Sequence, residues 1–125
     1  MVILDTCAII ETLKSSPSYT SKTANLMSEG AYIMSVSFAE IACKIRLGKL
    51  ELGISSRELF KRYSQIEHVE IIDIGANHWL DSIEFVWDEN RDPADRIIVA
   101  FAIKNELPIV TTDKKIKKFY RKVIW

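Results

Sequence analysis

The chain has no long hydrophobic run. No stretch of its 125 residues approaches about 18 uninterrupted apolar positions, so no membrane-spanning helix is expected. No basic segment with a cleavage site opens it either. A strand-like run starts at Val2, so no secretory signal is expected and the cytoplasm is the expected location. Cysteine is scarce: Cys7 and Cys43 share no metal-ligand spacing and read as reduced core thiols. No Gly-rich linker, repeat or low-complexity segment divides the chain, which implies one domain over residues 1–125. GxxxxGK[ST] and GxGxxG are both absent, which argues against the phosphate-cradling nucleotide folds. GxSxG and HExxH are absent as well, and His68 and His78 read as ordinary histidines.

Net charge is also missing. Seventeen Lys and Arg balance seventeen Asp and Glu, so nothing pulls the whole chain toward nucleic acid. The charges are nevertheless segregated. Glu67 to Asp95 holds nine acids and one base, Arg91, whereas Lys114 to Lys122 holds six bases and no acid. A looser basic group is Lys44, Arg46 and Lys49. The C-terminal run reads as a solvated helix face or as a local phosphate-binding patch.

What is present is an alternation of strands and helices. Strands are expected at residues 2–5, Ala31–Val36, Val69–Ile74, Leu107–Thr111 and Lys122–Trp125. The first two helices are expected at about Thr6–Lys14 and Ser21–Ser28, separated by a Ser15–Ser18 turn. Glu29-Gly30 stops the second. Ser37 reads as the N-cap of a helix running to about Leu47, closed by Gly48. Ser55-Ser-Arg-Glu58 is a capping box opening a helix to about Ile66. Ala76–Val86 is helical in pattern, and Asp92-Pro93 opens a helix to about Asn105. Lys114–Phe119 is a short one. The pattern predicts an α/β fold: a parallel sheet of about four to five strands with helices on both faces.

Four acids fall where such a fold exposes side chains. Asp5 follows Val2-Ile3-Leu4 and Asp113 follows the Leu107–Thr112 run, so both stand at strand ends, where parallel sheets form ligand sites. Asp95 lies one turn into a helix, and Glu40 lies in one whose neighbours are nearly all apolar or small. Each has a plainer reading. Asp5, Asp92 and Asp113 fit helix caps, Asp95 a first-turn acid that complements the helix dipole, and Glu40 a surface ion pair with Lys44. Together they form a set suited to hard divalent cations, Mg²⁺ or Mn²⁺, which prefer oxygen ligands and hold substrate phosphates.

Four segments carry a resemblance: Ile3-Leu-Asp-Thr-Cys-Ala8, Ser37-Phe-Ala-Glu-Ile-Ala-Cys-Lys-Ile-Arg-Leu-Gly-Lys49, Asp92-Pro-Ala-Asp-Arg-Ile-Ile-Val-Ala-Phe-Ala102 and Leu107-Pro-Ile-Val-Thr-Thr-Asp113. In this order and at this length the chain resembles a PIN domain, within that family the VapC-like toxins of toxin–antitoxin pairs. The resemblance implies a metal-dependent endoribonuclease. Its acidic set maps onto Asp5, Glu40, Asp95 and Asp113, with Asp92, Thr6 and Thr111 as accessory positions. It also implies 5′-phosphate and 3′-hydroxyl products, a small antitoxin partner and a homodimer.

Three positions depart from the pattern. Asn90 replaces a histidine, which is expected to remove one polar contact. Lys115 replaces a further acid, which weakens a second metal position. Thr112 replaces a basic residue. Lys114, Lys115, Lys117 and Lys118 are the expected RNA-positioning residues. Ile9, Ile10, Leu13, Phe60 and Tyr63 are assigned mainly to core packing, with a partner groove or homodimer contact as the alternative. Two other functions stay open. An aspartyl-phosphate phosphatase commonly needs a second Asp at position 7, where this chain has Cys. A non-catalytic RNA- or protein-binding module would use the acids only as caps or as a docking surface.

Overall fold

Alternation at period two builds the centre of the fold. In β1 (Val2–Leu4), Val2 and Leu4 join one apolar cluster and Ile3 the other, and all three are buried. β2 (Ala31–Met34) divides the same way, with Ala31 and Ile33 on one side and Tyr32 and Met34 on the other. Strands buried on both faces read as continuous apolar runs, as these do. The structure is a computed structural model that describes residues 1–14 and 17–125.

The described elements are β1, α1 (Thr6–Lys14), α2 (Pro17–Ser28), β2, α3 (Val36–Arg46), α4 (Ser56–Ser64), β3 (Val69–Ile72), α5 (Ala76–Glu84), α6 (Pro93–Asn105), β4 (Ile109–Val110), α7 (Lys114–Phe119) and β5 (Val123–Ile124). The five strands form one sheet in the order β3-β2-β1-β4-β5, with every pair parallel. The order reverses at β1, so its carboxyl end opens the crevice where such sheets bind ligands. Leu4 pairs with Val110. The residues that follow, Asp5 and Thr111, are therefore neighbours across the β1–β4 seam.

One face of the sheet carries α1, α3 and α4 through Ile9, Ile10, Phe38, Ile41, Leu59 and Tyr63. The other carries α6 and α7 through Ile97, Ile98, Val99, Ala102 and Ile116, with Trp87 stacked on Phe119 at 4.7 Å. Helices on both faces agree with the sequence pattern.

Several boundaries differ from expectation. The Ser15–Ser16 half of the expected turn lies outside the described residues, and Pro17 and Ser18 open α2 instead. Proline suits a first helical position, where its missing N–H costs nothing. α3 is preceded by Ser35 rather than capped by Ser37. Ser35 Oγ accepts from Ile74 N at 3.1 Å, and Ser37 lies inside the helix, fully buried. Gly30 ends α2 at φ 106°, and a Cβ there would meet Met1 Sδ at 2.1 Å. Ser55 caps α4 by accepting from Glu58 N at 3.1 Å, but the Glu58 side chain turns to Arg62 at 3.3 Å instead of closing the box.

Candidate active site

Asp5 leaves β1 and is 2% exposed. One carboxylate oxygen accepts from Ala8 N at 2.8 Å and starts α1, and the other accepts from the Thr111 hydroxyl. Thr111 is fully buried, and its Oγ1 also accepts from Asp113 N at 2.9 Å. This one hydroxyl therefore links the acids after β1 and β4. Burial pushes the Asp5 carboxyl up to about 7. The two hydrogen bonds oppose that rise, and the charges of Asp95 and Asp113 add to it.

Glu40 enters from α3. Thr6 Oγ1 donates to Glu40 Oε1 at 2.6 Å and stands 3.0 Å from Ser37 Oγ. Burial raises the Glu40 pKa, against the Thr6 bond and Lys44, while Asp92 and Asp113 raise it further. The Glu40–Lys44 ion pair of the plainer reading is not formed among the described residues.

Asp95 enters from the first turn of α6. Asn90 Nδ2 donates to Asp95 Oδ2 at 2.9 Å. Burial pushes Asp95 up to about 6, partly offset by that bond. Asp92, Asp113 and Glu40 add repulsion. The expected loss of a contact at Asn90 is thus corrected, because its amide reaches the acid directly. Asp92 and Asp113 are caps as well. Asp92 Oδ1 accepts from Ala94 N and Asp95 N at 2.9 and 3.2 Å, and Asp113 Oδ1 accepts from Ile116 N at 2.9 Å.

The fold thus gathers Asp5, Glu40, Asp92, Asp95 and Asp113 into one electrostatic neighbourhood. None of them is in an ion pair among the described residues. As a donor set they fit a hard cation in kind and in charge: all oxygen, all acidic, with Lys44 near Glu40 but in no ion pair with it among the described residues. They do not yet converge in position. Among the described residues, no three His, Cys, Asp or Glu side chains stand close enough to hold one ion.

Residues 2–122 match the model of the PIN domain family. The chain belongs to the PIN domain family. A toxin–antitoxin complex from Klebsiella pneumoniae contains a chain with the same fold, at TM-score 0.70 and 15% identity, covering 100% of this chain and 97% of that one. FitAcB from Neisseria gonorrhoeae is similar at TM-score 0.65 and 22% identity, covering 100% and 97%. VapBC2 from Rickettsia felis, bound to a DNA fragment from their promoter, is similar at 0.64 and 20%, covering 100% and 98%. No curated protein sequence matches significantly.

In this PIN domain the remaining expected residues fall into place unevenly. Lys114, Lys115, Lys117 and Lys118 are exposed on α7, which begins at the capping acid Asp113, while Ile116 between them is buried. Ile9, Ile10 and Tyr63 are core residues and Leu13 packs against them, leaving Phe60 as the exposed member. Cys43 is exposed, not a core thiol, because it sits on the outer face of α3. Cys7 is half-buried. Burial and the charges of Asp5, Asp113 and Asp95, against Lys44, push its thiol up to about 12, which disfavours a nucleophilic thiolate.

Arg96 is a residue that the sequence reading did not single out. Its guanidinium donates to the carbonyls of Ser82, Phe85, Trp87 and Asn90 at 2.6–2.9 Å and lies 4.6 Å from the Phe85 ring centre. It lies within the Asp92–Ala102 segment that carries the family resemblance, directly after Asp95.

The raised carboxyls set the pH dependence of the metal-free protein. Asp5 and Asp95 shift from a model-compound value of 3.8 to about 7 and about 6. Between those values the folded chain binds more protons than the unfolded chain, so stability falls as pH rises. Their contribution is fully present below about pH 4 and is lost by about pH 7. With chelator present, Tm is expected to drop from about pH 5 to about pH 7.5, and the drop should shrink in Asp5→Asn. A wild-type Tm that is flat or rising over that range would contradict the burial of these charges.

Proposed function

We propose that the chain is a metal-dependent endoribonuclease and the toxin of a VapBC-like toxin–antitoxin pair. The observation that carries the reading is the cluster of acids at the carboxyl ends of β1 and β4, mutually repelling and in no ion pair among the described residues. Such a cluster suits cation binding better than it suits folding. Membership of the PIN family supports nuclease chemistry, and the VapC-like sequence resemblance supports RNA as the substrate.

Asp5, Asp95 and Asp113 would hold the cation, with Glu40 as a ligand or as the base that orients water. Bound Mg²⁺ or Mn²⁺ supplies a lowered water pKa and neutralises charge on the scissile phosphate. Water oxygen would add to phosphorus and give up a proton, the bond to the 3′ oxygen would break, and that oxygen would take up a proton in turn. The products are 5′-phosphate and 3′-hydroxyl ends. Thr6 keeps Glu40 in place through one oxygen, and Thr111 does the same for Asp5. The exposed lysines of α7 would bind flanking phosphates. Of the expected groove residues only Phe60 is exposed, and a groove of about 450 Å³ beside it, lined by Phe38, Ala39, Ser56, Arg57 and Phe60, would receive the antitoxin. A homodimer and a cytoplasmic location belong to the same reading.

One observation favours a non-catalytic module: Asp5, Asp92 and Asp113 all cap helices. A cap alone, however, does not call for burial beside other acids. The phosphatase alternative loses support because Cys7 stands where a second Asp would be needed.

Asp5→Asn, Glu40→Gln, Asp95→Asn and Asp113→Asn are each expected to reduce RNA cleavage about a hundredfold or more, with the fold intact. Chelation should stop cleavage, and Mg²⁺ or Mn²⁺ should restore it. Full activity in any two variants would remove the assignment. Replacing Lys114, Lys115, Lys117 and Lys118 with Ala should flatten the salt dependence of RNA binding, since each phosphate contact contributes about −0.7 to the slope on single strands. An unchanged slope would return α7 to a solvated face. Expression of the chain alone should arrest growth, and co-expression of a small DNA-binding partner gene adjacent to its own should relieve the arrest. Absence of both toxicity and a complex would count against a toxin.

A further inference from the structure

We propose that Asn90 is a positioning residue for Asp95, held in place by Arg96. The inference rests on the metal-dependent reading of the acid cluster and adds to it a residue outside the carboxylate set.

Asn90 is 2% exposed, and all of its polar groups are engaged. Its backbone carbonyl accepts from Arg96 at 2.9 Å, and its backbone N–H donates to Trp87 O at 3.4 Å. Its side-chain Oδ1 accepts from Asp92 N at 2.8 Å, and its Nδ2 donates to Asp95 Oδ2 at 2.9 Å. The amide cannot be turned over. Asp92 N–H can only donate, so Oδ1 must face it, and Nδ2 then turns an N–H donor to the Asp95 carboxylate. One oxygen of Asp95 is thereby tied to the loop before α6.

That loop is itself anchored. Residues 85–92 link α5 to α6 without regular structure, and a chain segment of this kind would ordinarily wander. Four backbone carbonyls along it and at the end of α5 converge on the Arg96 guanidinium. A planar fork of five donors suits this task, and a lysine would not reproduce it. Arg96 follows Asp95 in the chain. The helix that presents the acid therefore also grips the loop that carries its hydrogen-bond donor. Neighbours that orient a metal-binding carboxylate commonly alter metal affinity or activity by about 10–100-fold when removed.

A merely local role for Asn90 is distinguishable. If Asn90 only shapes the turn before α6, Asp at this position serves equally well, because it keeps the acceptor for Asp92 N–H. If Asn90 positions Asp95, Asp fails, because a carboxylate then faces a carboxylate.

The test uses the full chain with Asn90→Asp and Asn90→Ser. Both are expected to lower kcat for RNA about tenfold or more, with KM within about twofold, and Asn90→Ser should bind Mn²⁺ about tenfold more weakly by calorimetry. Wild-type kcat in Asn90→Asp, or unchanged Mn²⁺ affinity and kcat in Asn90→Ser, would overturn the inference. A third measurement needs no altered residue 90. The Asn90 side-chain amide resonances should move as Mg²⁺ is added to the unaltered chain and stay still in Asp95→Asn; unmoved resonances in a chain that binds Mg²⁺ would also overturn it. A wild-type chain that neither binds these ions nor cleaves RNA would instead defeat the nuclease reading, before residue 90 is at issue.

Discussion

A carboxylate buried without a base is the constraint on which the rest of this structure turns. Removing an ionised group from water is costly unless it is paired or hydrogen-bonded. Asp5 has two partners, the Ala8 N–H and the Thr111 hydroxyl, and no cation among the described residues. The Thr111 bond exists only because β1 and β4 run parallel with Leu4 beside Val110. A slip of one residue in that register would turn Thr111 to the opposite face and strand the acid. The uncompensated part of the cost appears as a carboxyl that holds its proton to about pH 7.

The same economy of groups recurs around the cluster. Asp5, Asp92 and Asp113 each satisfy the first N–H groups of a helix while standing in the acid cluster. Capping and the proposed cation binding are therefore not competing explanations of these residues. A cap orients one oxygen by a local backbone bond, which limits the rotamers the acid can adopt. Thr6 and Asn90 do for Glu40 and Asp95 what the caps do for the others. Every acid in the cluster is thus held by at least one neutral donor, and none by a charge of opposite sign.

Much of this was legible locally. The turn at Gly30, the Ser55 cap and the Asp92-Pro93 start are short-range features, and they stand where the residue types predict. The alternation of elements was legible because two-sided burial and helical periodicity leave different spacings. Misreadings arose where a side chain had a distant partner or where residue type alone was a poor guide. Ser37 is a plausible cap by sequence, yet it lies beside Thr6, 31 positions away. By residue type Asn90 forfeits a histidine's contact, yet its amide donates as well as a histidine does. Cys43 passed for a core thiol because cysteine is usually buried, whereas its place on α3 faces outward.

By itself, the sequence determined the kinds and order of the elements, most of the caps and the acids that they would carry. These depend on φ/ψ preferences and on bonds between residues a few positions apart. Only the tertiary structure decided that β4 lies beside β1, bringing Thr111 to Asp5 across 106 positions, and that Arg96 gathers the loop carrying Asn90. Such contacts depend on sheet register and on which helix covers which face. Both are settled by burying apolar surface over the whole chain at once, and no local stretch contains that information.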